Sequence, residues 1–163
     1  MRVLLALVLA ASPLAAQDVG LPLGAVPAPA LVQDLAGDTL NLSQFVGRRP
    51  VLIEFWATWC PVCEALMPRI EAARARYGSR VEFVVVGVGV NQTRASIRRH
   101  IERHPMPGRV FFDATGAAVR AYAAPTTSYV VVLDARGRVV YTGSGEEQDI
   151  EGAVGRALAA ERR

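Results

Sequence analysis

Lysine is absent from this 163-residue chain, so all 18 basic side chains are arginine. That uniformity reads as a bias of base composition, not as chemistry. The net charge is only +3. The arginines are scattered among acids, which leaves no electrostatic footprint for a nucleic acid. Beyond the first residues no apolar run is long enough to span a membrane. Repeats and low-complexity tracts are missing. Cysteine is scarce: Cys60 and Cys63 are the only two. One pair cannot staple a fold of this size, which favours a functional role over a structural one. His100 and His104 are the only histidines. They stand at helical i, i+4 spacing in an arginine-rich, solvated stretch with no third ligand nearby. A closed zinc site therefore lacks ligands, and neither a metal nor a cofactor is expected.

What is present suffices for one core. Apolar residues make up 52% of the chain, and its length fits one domain with accessory segments. Arg2, the apolar run Val3 to Ala11 and the small-residue stretch Ser12 to Ala16 form an export signal, residues 1–16, cut after Ala16. Leu14 fits the cleavage rule poorly, and the uncut alternative is an N-terminal anchor. The run is shorter than the roughly 20 residues a spanning helix needs. No cysteine lies near the cut, so lipid attachment is excluded. Either way the domain is expected in the periplasm or another extracytoplasmic space, where disulfide chemistry is permitted. Residues 17–29, rich in Gly, Pro and Ala, read as an extended linker, and residues 30–163 as the domain.

Within that domain, Ala36-Gly37-Asp38 between short apolar runs suggests a hairpin over Leu31 to Leu42. Val51 to Trp56 is apolar on both faces, as in a central strand covered by helices. A helix is predicted from about Cys60 to Tyr77, stopped by Gly78 and kinked at Pro68. Val81 to Val90 reads as a second buried strand. A helix follows from Gln92 to His104, then a short strand, Arg109 to Phe112, and a short helix, Ala114 to Ala123. Ser128 to Leu133 and Arg138 to Thr142 form strands joined by a turn at Asp134-Ala135-Arg136-Gly137. Glu146 to Arg162 closes the chain as a helix. This alternation predicts an α/β fold with helices on a mixed central sheet.

Two residues stand out chemically. Cys60 and Cys63 stand with two residues between them at a strand-to-helix junction, where positions i and i+3 face the same way and can bridge. Cys60 would sit at the helix N-terminus, where unpaired N–H groups and the helix dipole favour the attacking thiolate. Pro61 suits the first turn, having no N–H to leave unpaired. Val62 adds no charge. Glu54 is an acid in a central strand, costly unless it has a partner or a task. The plain alternative is that it reaches an edge and pairs with an arginine.

The run Glu54-Phe55-Trp56-Ala57-Thr58-Trp59-Cys60-Pro61-Val62-Cys63, with Pro68 five residues on, resembles the active site of the thioredoxin superfamily. Ala124-Pro125-Thr126-Thr127 before a strand resembles that family's cis-proline loop. The export signal and the Asp134-to-Thr142 hairpin are similar to the TlpA/ResA branch of extracytoplasmic thiol–disulfide oxidoreductases. The resemblance runs from about residue 27 to the end. It implies a thioredoxin-like fold with an N-terminal hairpin extension. It implies that Cys60 attacks a partner disulfide and that Cys63 resolves the mixed disulfide. It places Glu54 as the buried acid under Cys63, its pKa raised by burial so that it takes the Cys63 proton. Pro125 becomes the cis-proline that sets the backbone of Ala124 and Thr126 beside Cys60 for an extended substrate, with Trp59, Pro61 and Val62 shaping the surface. Trp56 is expected in the core. Many members of that branch carry a glutamate three residues after the second cysteine. Here Leu66 stands there, so cytochrome-maturation specificity does not carry over directly.

The expected activity is thiol–disulfide exchange with cysteines of exported proteins, in the reducing direction, for example in cytochrome c maturation. A membrane electron donor of the DsbD/CcdA type would recharge it. The alternatives are a disulfide-forming oxidant, a peroxiredoxin-like peroxidase and a Cu(I)-binding metallochaperone. The peroxidase pattern Pro-x-x-x-Thr/Ser-x-x-Cys does not precede Cys60. Copper carriers of this fold use a spacing one residue longer.

Overall fold

The computed structural model describes residues 20–161. The expected export signal lies outside them, as does the end of the last predicted helix.

Two runs of β-branched and aromatic residues make the centre of the molecule. Strands β3 (Val51–Trp56) and β4 (Glu82–Val88) are buried at every position. They pair in parallel from Val51↔Glu82 to Trp56↔Gly87. A parallel pair requires a crossover, here helix α1 (Pro61–Tyr77). Helix α2 (Arg94–Arg103) makes the next crossover, to β5 (Arg109–Asp113), which lies parallel to β4. On the other side of β3, β6 (Tyr129–Leu133) runs antiparallel, and β7 (Val139–Gly143) follows it. Their turn is held by Asp134, whose carboxylate accepts the N–H groups of Arg136 and Arg138 at 2.9 Å each. Gly137 there has φ 79°, a conformation that only glycine adopts at no cost.

The predicted hairpin forms from β1 (Leu31–Gln33) and β2 (Thr39–Asn41). Asp34 builds its turn by accepting three backbone N–H groups, those of Ala36, Gly37 and Asp38. The hairpin joins the sheet through Gln33↔Phe112, giving the order β2-β1-β5-β4-β3-β6-β7.

Alternation along β3 assigns its two faces. Leu52 packs with Val130 and Val132 under α1 and α4 (Ile150–Ala160). On the opposite face, the ring of Phe55 meets Tyr122 and Tyr129, each centroid 5.8 Å away. Tyr122 follows the short helix α3 (Ala117–Ala121). Residues 20–29 form neither helix nor strand but are tied down. The Gly24 N–H donates to Val139 O at 2.7 Å, and Ala25 O accepts from Val139 N at 2.8 Å. The Leu21 N–H reaches the Tyr129 hydroxyl.

Helix starts differ from the sequence reading for local reasons. Helix α2 begins at Arg94, not Gln92, because Thr93 and Ser96 form a capping box there. Helix α4 begins at Ile150, not Glu146, because the Asp149 carboxylate takes the Gly152 N–H.

One glycine between β4 and α2 has no room for a side chain. A Cβ on Gly89 would stand 2.7 Å from Asp113 O and 3.1 Å from Ala114 O. Both are backbone atoms, so the loop itself must shift. Gly89→Ala is expected to cost about 1–3 kcal/mol, checked by urea unfolding of the oxidised protein. An unchanged midpoint would refute the crowding.

Candidate active site around Cys60 and Cys63

The chain leaves β3 at Trp56 and turns back at once, with the Cys60 N–H donating to Ala57 O at 3.1 Å. Cys60 is the N-cap of α1 and Pro61 its first residue. The Cys63 N–H, one of the orphan donors of that helix end, points at Cys60 Sγ at 3.1 Å. The two cysteines form a disulfide, with Cα atoms 5.3 Å apart. Cys63 is wholly buried, whereas Cys60 keeps 4% of its surface. Both cysteines are therefore buried, Cys60 the less completely. Cys63 begins the inward stripe of α1, followed by Leu66, Ile70 and Ala73, all buried. Leu66, where many members of the TlpA/ResA branch carry a glutamate, is core.

Glu54 lies on the β3 face that α1 covers, in the row of Leu52. Its cross-strand neighbours are Val85 and Val130. It is fully buried, and neither carboxyl oxygen has a hydrogen-bond partner. Burial alone pushes its pKa from 4.5 up to about 8. β3 is flanked by β4 and β6, so Glu54 is not at an edge, and among the described residues no arginine pairs with it. The side chain is mostly a neutral acid at pH 7, ready to release or hold one proton.

The loop before β6 departs from expectation. No peptide bond among the described residues is cis, so the bond before Pro125 is trans. The trans form is the lower-energy one for X-Pro bonds too. The chain turns instead through Ala123 and Ser128, with φ of 48° and 62°. The Ala124 N–H, expected to be free for a substrate, donates to Val119 O at 2.9 Å. The Ser128 N–H donates to Phe55 O at 2.8 Å, which keeps the loop beside the end of β3. Pro125 and Thr126 remain exposed there.

Around the disulfide stands an apolar surface. Trp59 is 46% exposed and Val62 41%, while Trp56 is buried. The Trp59 indole N–H donates to Val90 O at 2.9 Å, and Val90 itself is 58% exposed. Sequence reasoning missed Val90, assigned to a buried strand, and Gln92, assigned to a helix. Only the folded chain brings the β4–α2 loop against the turn before Cys60. His100 sets its ring against Trp56, centroids 5.1 Å apart, and lies 4.7 Å from His104. Burial, then the neighbouring His104, holds the His100 pKa below its ordinary value. Among the described residues no three His, Cys, Asp or Glu side chains converge as a metal site.

A bridged Cys-x-x-Cys at a helix N-terminus, on a sheet of this topology, defines a thioredoxin-fold thiol–disulfide oxidoreductase of the TlpA/ResA type. The Redoxin family profile matches residues 24–158, and the chain belongs to that family. It is 27% identical over 124 residues to the thiol–disulfide oxidoreductase ResA of Halalkalibacterium halodurans, covering 74% of this chain and 69% of that protein. ResA of Geobacillus kaustophilus is 29% identical over 124 residues, covering 74% and 70%. Among solved structures, a DsbE-type thiol:disulfide interchange protein from Chlorobium tepidum superposes with a TM-score of 0.72. That match is 22% identical and covers 86% of this chain and 97% of the other, a likeness of fold.

Proposed function

We propose that the protein exchanges its Cys60–Cys63 pair with cysteines of exported proteins, in the reducing direction, outside the cytoplasm. The observation that carries this is the disulfide itself, between the helix N-cap Cys60 and the wholly buried Cys63, with a buried, unpartnered Glu54 in the preceding strand. In its dithiol form, Cys60 attacks a substrate disulfide and expels one substrate thiolate. Cys63, losing its proton to the ionised fraction of Glu54, then attacks Cys60 Sγ, releases the second substrate thiolate and closes the bridge. Two electrons pass to the substrate. A membrane electron donor of the DsbD/CcdA class would return the pair to the dithiol state. Cytochrome c precursors are one substrate class that fits.

What supports the reducing direction is how little there is, beyond the helix N-terminus itself, to stabilise a Cys60 thiolate. Val62 brings no charge, Pro61 no N–H, and the sulfur accepts from the Cys63 N–H alone. A thiolate with few stabilising groups belongs to a more reducing pair. The Trp59–Val62–Val90 surface and the exposed Pro125–Thr126 loop would seat the substrate segment. Residues 1–16 would act as the export signal and 30–163 as the catalytic domain. No helix among the described residues is long and apolar enough to cross a membrane.

Equilibration in thiol buffers tests the direction. The expected potential is near that of thioredoxin, about −270 mV. A value nearer about −120 mV would reverse the direction and make the protein a disulfide-forming oxidant.

A further inference from the structure

Gln92 is a buried polar residue that the exchange chemistry does not use. A side-chain amide has two N–H donors and an acceptor oxygen, and here all are engaged on backbone. Gln92 Oε1 accepts the Thr58 N–H at 2.9 Å. Gln92 Nε2 donates to Val88 O at 2.7 Å and to Trp56 O at 3.4 Å. One side chain therefore ties the end of β4 to the turn that carries Cys60. A second tie runs alongside it, from the Trp59 indole to Val90 O. Behind it, the backbone at Gly89 lies so near the carbonyls of Asp113 and Ala114 that a Cβ there would stand 2.7 Å from Asp113 O.

We propose that Gln92 is a positioning residue for polypeptide substrates, holding the Thr58–Trp59 turn so that Trp59 and Val90 form one wall beside Cys60. This rests on the oxidoreductase reading above. Thr58 and Trp59 immediately precede the nucleophile, and both are fastened to residues 88–92. With the amide gone, the Thr58 N–H loses its partner and the turn is free to rearrange to find another. The disulfide would survive, since α1 and its cap hold it independently. The exposed ledge of Trp59, Val62 and Val90 would not keep its shape. A small disulfide needs only access to Cys60, whereas an extended chain needs the ledge as well. The loss therefore falls on peptide binding, not on the sulfur chemistry.

Gln92→Leu, close in size but without hydrogen bonds, separates these effects. KM for a short synthetic peptide disulfide is expected to rise about tenfold with kcat held within about twofold. The rate with oxidised glutathione should stay within about twofold. Equal losses on both substrates, or an unchanged peptide KM, would overturn the positioning role. The latch is also read without activity, as Thr58 amide hydrogen exchange by NMR, expected to speed up at least about tenfold. Gln92→Glu keeps an acceptor for the Thr58 N–H and serves if Gln92→Leu does not fold. Its Thr58 amide should stay protected to within about threefold, and full loss there would refute the Oε1 contact. Should the unaltered protein exchange with neither substrate, the oxidoreductase reading falls, while Thr58 exchange still decides whether the latch exists.

Discussion

A Cys60→Ser protein is expected to lose disulfide exchange, and a Cys63→Ser protein to stall as a mixed disulfide with its substrate. The two outcomes differ because the cysteines differ in place. Cys60 caps α1, receives the Cys63 N–H and is the one with surface to offer. Serine there keeps the cap, since a hydroxyl accepts the same hydrogen bond. It removes the sulfur, and with it the attack. The expected drop is on the order of 10³-fold or more, a modest part of the range enzymes span. Cys63 has no exposed surface, so it acts only on a sulfur already joined to Cys60. Serine there leaves the first step intact and removes the second. Incubation with an oxidised peptide followed by non-reducing mass spectrometry distinguishes the two. An adduct on Cys60→Ser, or none on Cys63→Ser, would invert the assignment.

Glu54 is expected to set both the pH dependence of stability and the speed of resolution. In the unfolded chain its carboxyl titrates near the ordinary 4.5, whereas burial holds it at about 8 in the fold. Below pH 4.5 both states carry the proton and Glu54 adds no pH dependence. Between 4.5 and 8 only the folded state retains it, so stability falls as pH rises. Above 8 both are ionised and the full cost persists. A shift of that size corresponds to as much as about 5 kcal/mol. Glu54→Leu, matched to its neighbours Val85 and Val130, should flatten this slope and be more stable at pH 9 by about 3–5 kcal/mol. Urea unfolding of the oxidised proteins at pH 5, 7 and 9 reads it directly. Parallel pH profiles for the two proteins would show that Glu54 is not the group responsible. The same variant should slow release of the mixed disulfide by about 10²-fold, the usual worth of a placed proton acceptor. A base with pKa near the working pH is well matched to that task. Unchanged release would leave Glu54 a cost to stability without a role in exchange.

Much of the architecture was legible because its signals are local. Val51 to Trp56 and Val81 to Val90 read as buried strands because apolar residues fall on both faces, and helices end where Gly78 or a proline interrupts them. Asp34 and Asp134 make their turns from their own neighbours' N–H groups. The cysteine pair was legible because its spacing and its position after a strand are themselves the chemistry. The cost of an acid among Leu52, Ile53, Phe55 and Trp56 was equally plain.

Other features depend on segments far apart in the chain, and sequence pattern does not carry those. The bond before Pro125 is trans, the chain turns through Ala123 and Ser128, and the Ala124 N–H is committed to Val119 O. Among the described residues Glu54 has no arginine partner, and β4 and β6 flank β3 on both sides. Val90 and Gln92 join the site only when the second crossover lays its loop against the turn before Cys60. By itself, then, the sequence determined the reactive pair, the strands and helices, and the buried acid, because each rests on neighbours within a turn or a strand. Tertiary structure decided how deeply each cysteine is buried, how strongly Glu54 holds its proton, and which loop walls the site. Those depend on burial and on hydrogen bonds between residues about thirty to eighty positions apart, which exist only once the sheet has assembled.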